Sequence, residues 1–419
     1  MTLALMAPGV YIQEQPAPRT VVSVGTSTAA FLGTAPDANA HLNEAWPVDN
    51  WSEFRKHFAS SDNAPSTMLA NAVYGFFNNR GSRCYVLNIP KGEPISGRDR
   101  PRSGLKLLEE NDEVAIVAAP GSFDPDSHEA LLTHCEKMGD RVCICDTPPD
   151  VQNTDLLKTV ETAPLPKGKD KDKGAAGGAG AEEGSTKPPS SSASAGGLHP
   201  RLSELGFGAF YFPWIWVRDA INPRGDLVAV APSGHIAGVW SRTDALRGVH
   251  KAPANEPIAG ALNLTYRVTA EEQAELNSKG VNCVRFFSDV GIRVWGARTL
   301  ADETTAFKYI PVRRLFNFVE KSILRSNSWV VFEPNDETLW KTIRAEISGF
   351  LRMVHRDGAL VGKTPEEAFF VKCDAETNPP ESVDMGYVVT VVGLAPVKPA
   401  EFVVFKIGFH QQGAKVENV

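Results

Sequence analysis

The sequence predicts an α/β fold, α+β when the whole chain is considered, on three observations. Hydrophobic runs and helical spacing alternate as strand, helix and strand between residues 114 and 146, and such a unit pairs its strands in parallel. After Pro257 the pattern changes to short strands followed by long helices. The chain has 419 residues, more than one core usually holds, so we expect two or three domains.

The first part of the chain supplies the elements of the α/β region. Apolar runs indicate strands, and apolar residues three or four positions apart indicate helices. Ser66 is expected to cap the second helix and Gly81 to end it. The predicted strands are 26–33, 84–89, 114–121, 141–146, a β-rich run at 207–217, and 226–231. The predicted helices are 51–58, 66–79, 126–138 and 233–246.

A low-complexity stretch from residue 164 to residue 197 interrupts this region. It contains alternating lysine and aspartate, then glycine, alanine, serine and proline, with almost no apolar side chains. Such a composition buries too little apolar surface to offset the entropy cost of ordering the chain. We therefore expect a disordered insertion on the surface.

The part of the chain after Pro257 is predicted to contain two strands and two long helices. The strands are 284–287 and 291–298, and the helices are 312–324 and 336–354. The last helix carries an apolar stripe and, beside it, a mostly cationic one. A charged stripe is usually only solvated, and the pattern leaves open whether this one docks an acidic partner. The cationic stripe contains Lys341, Arg344, Ser348, Arg352 and Arg356.

Short strand-like segments occur near both ends of the chain. Terminal segments fray unless another element pairs with them, so each needs a sheet to join. That sheet belongs either to the same molecule or to a neighbouring copy, and the pattern alone leaves both alternatives open. The candidate arm residues are Val10, Tyr11, Ile12 and Glu14 at the start, and Phe402, Val403, Val404, Phe405, Lys406 and Ile407 at the end.

The composition argues against several classes of function. With 42% hydrophobic and 22% charged residues and a net charge of −7, the chain lacks the concentrated basic surface that binds nucleic acid. No apolar run approaches the roughly 18 residues of a membrane span, and the first residues have no positively charged flank. We expect assembly in the cytoplasm, with no direct membrane insertion and no nucleic-acid partner.

The motifs of catalytic and cofactor sites are absent or fail in detail. Residues 357–364 look like a phosphate-binding loop, but three residues separate the two glycines where the motif needs four. Thr364, Pro365 and Glu367 instead suit the start of a helix, closed by a capping box. The six cysteines show no metal-ligand spacing, and Cys143 and Cys145 are expected to be buried thiols on one strand face. We predict no catalytic, cofactor or metal residues.

Several blocks of sequence, taken in order, resemble a known family. They include Gly291-Ile-Arg-Val-Trp-Gly-Ala-Arg-Thr299 and Phe332-Glu-Pro-Asn335. Further matching blocks are 8–12, 234–240, 247–255, 276–277, 280–282, 309–314, 339–340, 358–360, 368–373 and 395–402. Together these blocks resemble the sheath subunits of contractile phage tails and of the related bacterial contractile injection systems. No single block is specific, but their order along the chain is.

This resemblance implies a structural role. Subunits of this family form stacked hexameric rings around an inner tube, between baseplate and terminal cap proteins, and contraction drives the tube through a target envelope. The resemblance implies that both terminal segments add strands to sheets of neighbouring subunits. It also implies that the C-terminal helices face the tube, which makes Lys341, Arg344, Arg352 and Arg356 candidate tube contacts.

The resemblance further implies a division of the chain. An outer α/β domain would be inserted into an inner α+β sheath domain formed by the N-terminal strand and the C-terminal third, with exchanged terminal arms. Hinges are expected at Pro16 and Pro18 and around residues 396–399. The predicted segments are an arm at 1–22, the outer domain at 23–260 with its insertion at 164–197, the inner domain at 261–398, and an arm at 399–419.

Two other functions remain as alternatives. The α/β half could bind a ligand as part of an enzyme, or the chain could be a tube or baseplate component of the same particle. The sequence also leaves open whether that particle is a phage or an injection system.

Overall fold

A nine-stranded sheet forms the centre of the protein, seen in a computed structural model that describes residues 20–61, 63–161, 196–222 and 224–402. The strands in these ranges are β1 Ala29–Gly33, β2 Trp46–Val48, β3 Cys84–Asn88, β4 Ile116–Ala118, β5 Val142–Asp146, β6 Gly208–Phe212, β7 Ile215–Arg218, β8 Leu227–Val230, β9 Glu256–Pro257, β10 Asn263–Leu264, β11 Val281–Phe287, β12 Gly291–Trp295, β13 Phe369–Lys372 and β14 Val391–Leu394.

The helices of the described ranges pack on the sheet or form the C-terminal part of the chain. They are α1 Trp51–Phe58, α2 Met68–Asn78, α3 Pro125–Met138, α4 Ser233–Arg247, α5 Ala270–Ser278, α6 Ile310–Ser326, α7 Glu337–Arg356, α8 Pro365–Ala368 and α9 Pro380–Asp384. None of the helices in these ranges has both the length and the apolar character needed to cross a membrane.

The central sheet has the strand order β2-β3-β1-β4-β5-β6-β11-β12-β9. Its inner strands from β3 to β11 pair in parallel, while β2, β12 and β9 add antiparallel edges. The predicted strand–helix–strand unit is confirmed, because β4 and β5 pair in parallel around α3, with Ile116 opposite Val142. A parallel pair requires such a crossover connection.

Both faces of this sheet are covered, as buried parallel strands require. On one face, aromatic side chains such as Phe31, Phe76 and Trp240 are fully buried between the strands and helices α2 and α4. On the other face, Leu131 and Leu132 of α3 pack with Cys143 and other strand residues. The cysteines are all buried and unpaired, as predicted for the pair in β5: Cys84, Cys135, Cys143, Cys145, Cys283 and Cys373.

A separate core joins the C-terminal helices to the strand pair β13–β14. Helix α7 directs Ile343, Ile347 and Phe350 into this core, which confirms the apolar stripe seen in the sequence. Val21, from the first described residues, is buried in the same core. The first described residues therefore pack against the C-terminal helices and the β13–β14 pair.

Some predicted boundaries differ from the structure. The run at 207–217 is two strands in two different sheets, since β6 ends before Pro213, which cannot donate a hydrogen bond to a ladder. The cap of α2 is Thr67, whose side chain accepts from the N–H of Ala70, and not Ser66. At α8, Thr364 precedes the helix as predicted, but the Glu367 side chain accepts from Lys363 N, so the capping box is not formed.

The predicted domain division stays a prediction. Strands on both sides of residue 260 belong to the nine-stranded sheet, because β11 pairs with β6. The predicted arm residues Val10, Tyr11, Ile12 and Glu14, and those from Val403 to Ile407, lie outside the described residues, as does most of the 164–197 stretch.

The carboxyl end of the parallel sheet is where open α/β sheets commonly bind ligands. Here the N-terminus of α4 faces Asp146, at the end of β5. The Asp146 carboxylate accepts hydrogen bonds from the N–H of Ser233 at 3.0 Å and from its hydroxyl at 2.6 Å. Burial has the larger effect on the pKa of Asp146 and raises it to about 6, although these hydrogen bonds lower it. A carboxylate of the chain itself thus occupies the place that an anionic ligand would take.

Helices α2 and α4 approach so closely that their contact depends on glycine. A Cβ atom added to Gly234 would lie 2.4 Å from the Cα atom of Ala72 on α2. Because the obstructing atom belongs to backbone, the helices themselves would have to move apart.

We expect Gly234→Ala to destabilise the subunit by about 2–3 kcal/mol through overpacking of this contact. Gly349→Ala on α7 is the matched control, because an added Cβ meets no atom within 4 Å there. In an open helical position the change should stabilise by roughly 0.5–1 kcal/mol. Urea unfolding of the two variants measures both values. Equal changes in the free energy of unfolding for the two variants would contradict the close contact between α2 and α4.

Candidate inter-subunit interface

The first described residues are fixed along helix α6. The backbone N–H of Val22 donates to the hydroxyl of Ser326 at 2.9 Å, and that of Val24 donates to the hydroxyl of Ser322 at 3.2 Å. Val21 is buried beside them. We call residues 20–27 the N-terminal root. Side chains of α6 thus fix the position of residues 22 and 24.

A buried ion pair fixes the end of the N-terminal root. Arg314 of α6 contacts Asp244 of α4 at 2.6 Å, and only 3% and 5% of their side-chain surfaces are exposed. Thr26 is hydrogen-bonded to both partners, since its hydroxyl donates to Asp244 and its carbonyl accepts from Arg314. The guanidinium also lies over the ring of Trp240, 4.8 Å from its centroid. Three separate parts of the chain meet at this pair.

The last described residues are fixed to a different part of the molecule. The N–H of Val397 donates to the carbonyl of Ala359, and that of Val361 donates to Ala395. Further along, the carboxylate of Glu401 accepts from Arg298 through two bonds of 2.8 and 2.9 Å. We call residues 395–402 the C-terminal root. It ends at Phe402, whose side chain is 76% exposed.

The Glu401 carboxylate is the centre of a hydrogen-bond network. Besides Arg298, it accepts from the amide of Asn277 at 2.6 Å and from the hydroxyl of Tyr309 at 3.0 Å. Partial burial alone would raise the pKa of Glu401, but the hydrogen bonds from Arg298 and Asn277 outweigh it and lower the pKa. The ionised carboxylate therefore holds the C-terminal root on the central sheet.

The two-stranded sheet β13–β14 shares a core with Val21 of the N-terminal root and leads directly into the C-terminal root. It packs on α7, and its register pairs Phe369 with Leu394 and Lys372 with Val391. Within the described ranges, neither outer edge pairs with another strand. Phe370 and Val391 are 57% and 43% exposed. An open edge with exposed apolar side chains is a template for a further strand.

The predicted cationic stripe lies on the outer face of α7. Lys341, Arg352 and Arg356 are exposed, whereas Arg344 is half-buried. Lys341 pairs with Glu337 one turn earlier, at 2.9 Å, and the three arginines form no ion pair in the described part of the chain. A groove of about 570 Å³ runs beside this stripe, between α7 and Val21. The geometry thus presents positive charge next to the N-terminal root.

Sequence reasoning missed the residues that anchor the two roots. The anchoring residues lie in or beside the sequence blocks that resemble the sheath family, and that resemblance was the signal in the sequence that could have pointed to them. They are Asp244, Arg298, Arg314 and Glu401. Their pairing was not readable, because Arg298 and Glu401 are 103 positions apart. Among the described residues, no group of three or more histidine, cysteine, aspartate or glutamate side chains could hold a metal ion.

Two family profiles match the chain. The profile described as "Phage tail sheath protein central domain" matches residues 103–300, and "Phage tail sheath C-terminal domain" matches residues 302–410. Together they cover well over half of the 419 residues. The chain belongs to the phage tail sheath family.

Tail sheath proteins of known phages are similar to part of the chain. The protein of Vibrio phage KVP40 is 29% identical over 188 residues, which are 44% of this chain and 27% of the phage protein. The protein of Salmonella phage ViI is 27% identical over 187 residues, 44% of this chain and 28% of the phage protein. The match thus spans about a quarter of the length of these relatives.

Solved sheath structures match nearly the whole chain. The PVC sheath complex of an extracellular contractile injection system, in its contracted state, is 29% identical with a TM-score of 0.72, covering 98% of this chain and 99% of that chain. The contracted helical sheath of the anti-feeding prophage is 28% identical with a TM-score of 0.70, covering 98% and 100%. These likenesses confirm the mixed α/β fold class and membership of the sheath family.

The Glu401 network predicts a pH dependence. Because the pKa of Glu401 is lower in the folded subunit than its ordinary value of 4.5, the network stabilises the fold above that pH and is lost as pH falls through the folded pKa. We expect Glu401→Gln to lower the melting temperature at pH 7, with the difference from the native chain shrinking below about pH 4.5.

Glu376→Gln is the control for this measurement, because the carboxylate of Glu376 is largely exposed and pairs with Lys372 at the surface. Its melting temperature should follow that of the native chain across the pH range. A difference for Glu401→Gln that stays constant down to pH 3 would contradict the assigned role of the carboxylate.

Proposed function

We propose that this chain is the structural subunit of a contractile sheath, polymerising as stacked rings around an inner tube and contracting to drive the tube through a target envelope. The observation that carries the proposal is the likeness over 98% of the chain to a sheath complex in its contracted state. The role is mechanical, and it assigns no catalytic residue.

The open sheet β13–β14 supports exchange of strands between copies. Among the described residues both of its outer edges are unpaired. Val21 of the N-terminal root lies in the core that this sheet shares with α7, and residues 395–397 of the C-terminal root follow directly after β14. In the proposal, the segments before residue 20 and after residue 402 pair with β13–β14 of neighbouring copies. Backbone hydrogen bonds would then hold the copies together while the domains move.

The partners follow from the same proposal. Copies of the chain form the rings, an inner tube protein lies inside them, and baseplate and terminal cap proteins close the ends. A solved chain of the anti-feeding prophage baseplate, 28% identical with a TM-score of 0.69, is consistent with sheath subunits that meet a baseplate. We place assembly of the particle in the cytoplasm, with release by lysis as one outcome.

Truncation after Phe402 tests the proposed arm exchange. The variant keeps Glu401 and the C-terminal root, so the subunit should stay folded and soluble but form no tubes in electron micrographs. Truncation after His410 is the control, since it removes only the residues that follow the predicted strand and should still assemble. Normal tubes from the shorter variant would refute arm exchange.

Charge reversal on α7 tests the proposed tube contact. Lys341→Glu with Arg352→Glu should abolish co-sedimentation of the sheath with its tube protein, because exposed cations become anions, while copies still bind one another. Lys56→Glu, on the exposed side of α1, is the control and should have no effect. If the double variant binds the tube protein as well as the native chain does, α7 is not part of the tube contact.

A further inference from the structure

Two arginines face each other directly across the hairpin β11–β12. Arg285 is the cross-strand partner of Arg293 in the antiparallel register, so both side chains leave the same face of the sheet. Like charges in directly opposite positions destabilise an antiparallel pair. The repulsion between the two guanidinium groups therefore needs an anion to compensate it.

The described part of the chain places no anion on this pair. Arg285 donates to the side-chain amide oxygen of Gln273 at 2.6 Å, and Arg293 donates to the backbone carbonyl of Asn255 at 2.7 Å and to its side-chain oxygen at 3.3 Å. These acceptors are all neutral. No carboxylate in the described ranges forms an ion pair with either guanidinium, and the Nε atoms of both are buried without an acceptor.

Two carboxylates on neighbouring elements are engaged elsewhere. Glu256 of the edge strand β9 lies 3.6 Å from Arg242. Glu272 of α5 accepts from Thr269 at the helix start and from Tyr266. Neither is available to neutralise the arginine pair without giving up those bonds.

Aromatic rings border the arginine pair. Phe287 and Trp295 are 4.6 Å apart between ring centroids, and the guanidinium of Arg285 lies 5.2 Å from the centroid of Phe287. Trp295 is 36% exposed. Rings beside a guanidinium exclude water and orient its planar donors, which favours bidentate contact with a carboxylate.

We propose that Arg285 and Arg293 bind a carboxylate side chain of a second copy of this chain. The strand that carries Arg293 leads within a few residues to Arg298, which binds Glu401 of the C-terminal root. The net charge of −7 gives each copy an excess of carboxylates. This inference rests on the proposed sheath assembly and assigns one contact within it.

Carbodiimide cross-linking of assembled sheaths tests the contact. Arg293→Lys and Arg285→Lys each keep the positive charge and add an amine that carbodiimide joins to a carboxylate in direct contact. Sheaths are formed from a mixture of ¹⁴N- and ¹⁵N-labelled subunits, and peptides are identified by mass spectrometry. We expect a mixed-isotope cross-link from position 293 or 285 to an aspartate or glutamate, and its loss in unassembled subunits.

Arg267→Lys is the matched control, because Arg267 is an exposed arginine that stacks on Phe286, on the opposite face of the same hairpin. It should give no mixed-isotope cross-link. Cross-linking at position 267 equal to that at 293 would show only crowding and would overturn the proposal, as would cross-links from 285 and 293 that are all within one subunit or lead to another protein.

The test separates this inference from the proposed function. If the native chain forms no sheath, the proposed function itself fails. If the native chain and the lysine variants form sheaths without the mixed-isotope cross-link, only the arginine contact fails. Circular dichroism shows whether each lysine variant folds. If one variant does not fold, the cross-links of the other variant decide whether the arginine contact exists.

Discussion

The buried ion pair between Arg314 and Asp244 is the constraint on which the arrangement of the chain depends. It joins α6, α4 and the N-terminal root, which are far apart in sequence. A buried pair contributes little net stability when both charges are present, but loss of one partner costs about 3–5 kcal/mol because the other charge is left unpaired. The pair therefore selects one arrangement of these three elements over others.

Together with the Glu401 network, this pair separates the fixed parts of the subunit from those proposed to be exchanged. Both roots are held by contacts within the same molecule, and the open sheet shares a core with Val21 and leads into the C-terminal root. A contractile lattice needs such a division, because subunits must change orientation without losing their connections. The close contact of α2 with α4 packs these two helices against each other on one face of the central sheet.

Local patterns predicted the elements well and their partners poorly. The apolar stripe of α7 was readable because helix periodicity is a property of adjacent residues. The division of the 207–217 run between two sheets was not readable, since it depends on which strands lie beside β6 and β7. The same limit applies to Glu401 and Arg298, whose contact exists only after the chain has folded. The predicted tube and arm residues stay predictions.

The six buried, unpaired cysteines leave the subunit insensitive to the redox state of its surroundings. Burial raises the pKa of the Cys283 thiol to about 12, so very little reactive thiolate is present at neutral pH. No disulfide contributes to the fold of the subunit, so the proposed sheath would owe its strength to packing and to non-covalent contacts between copies.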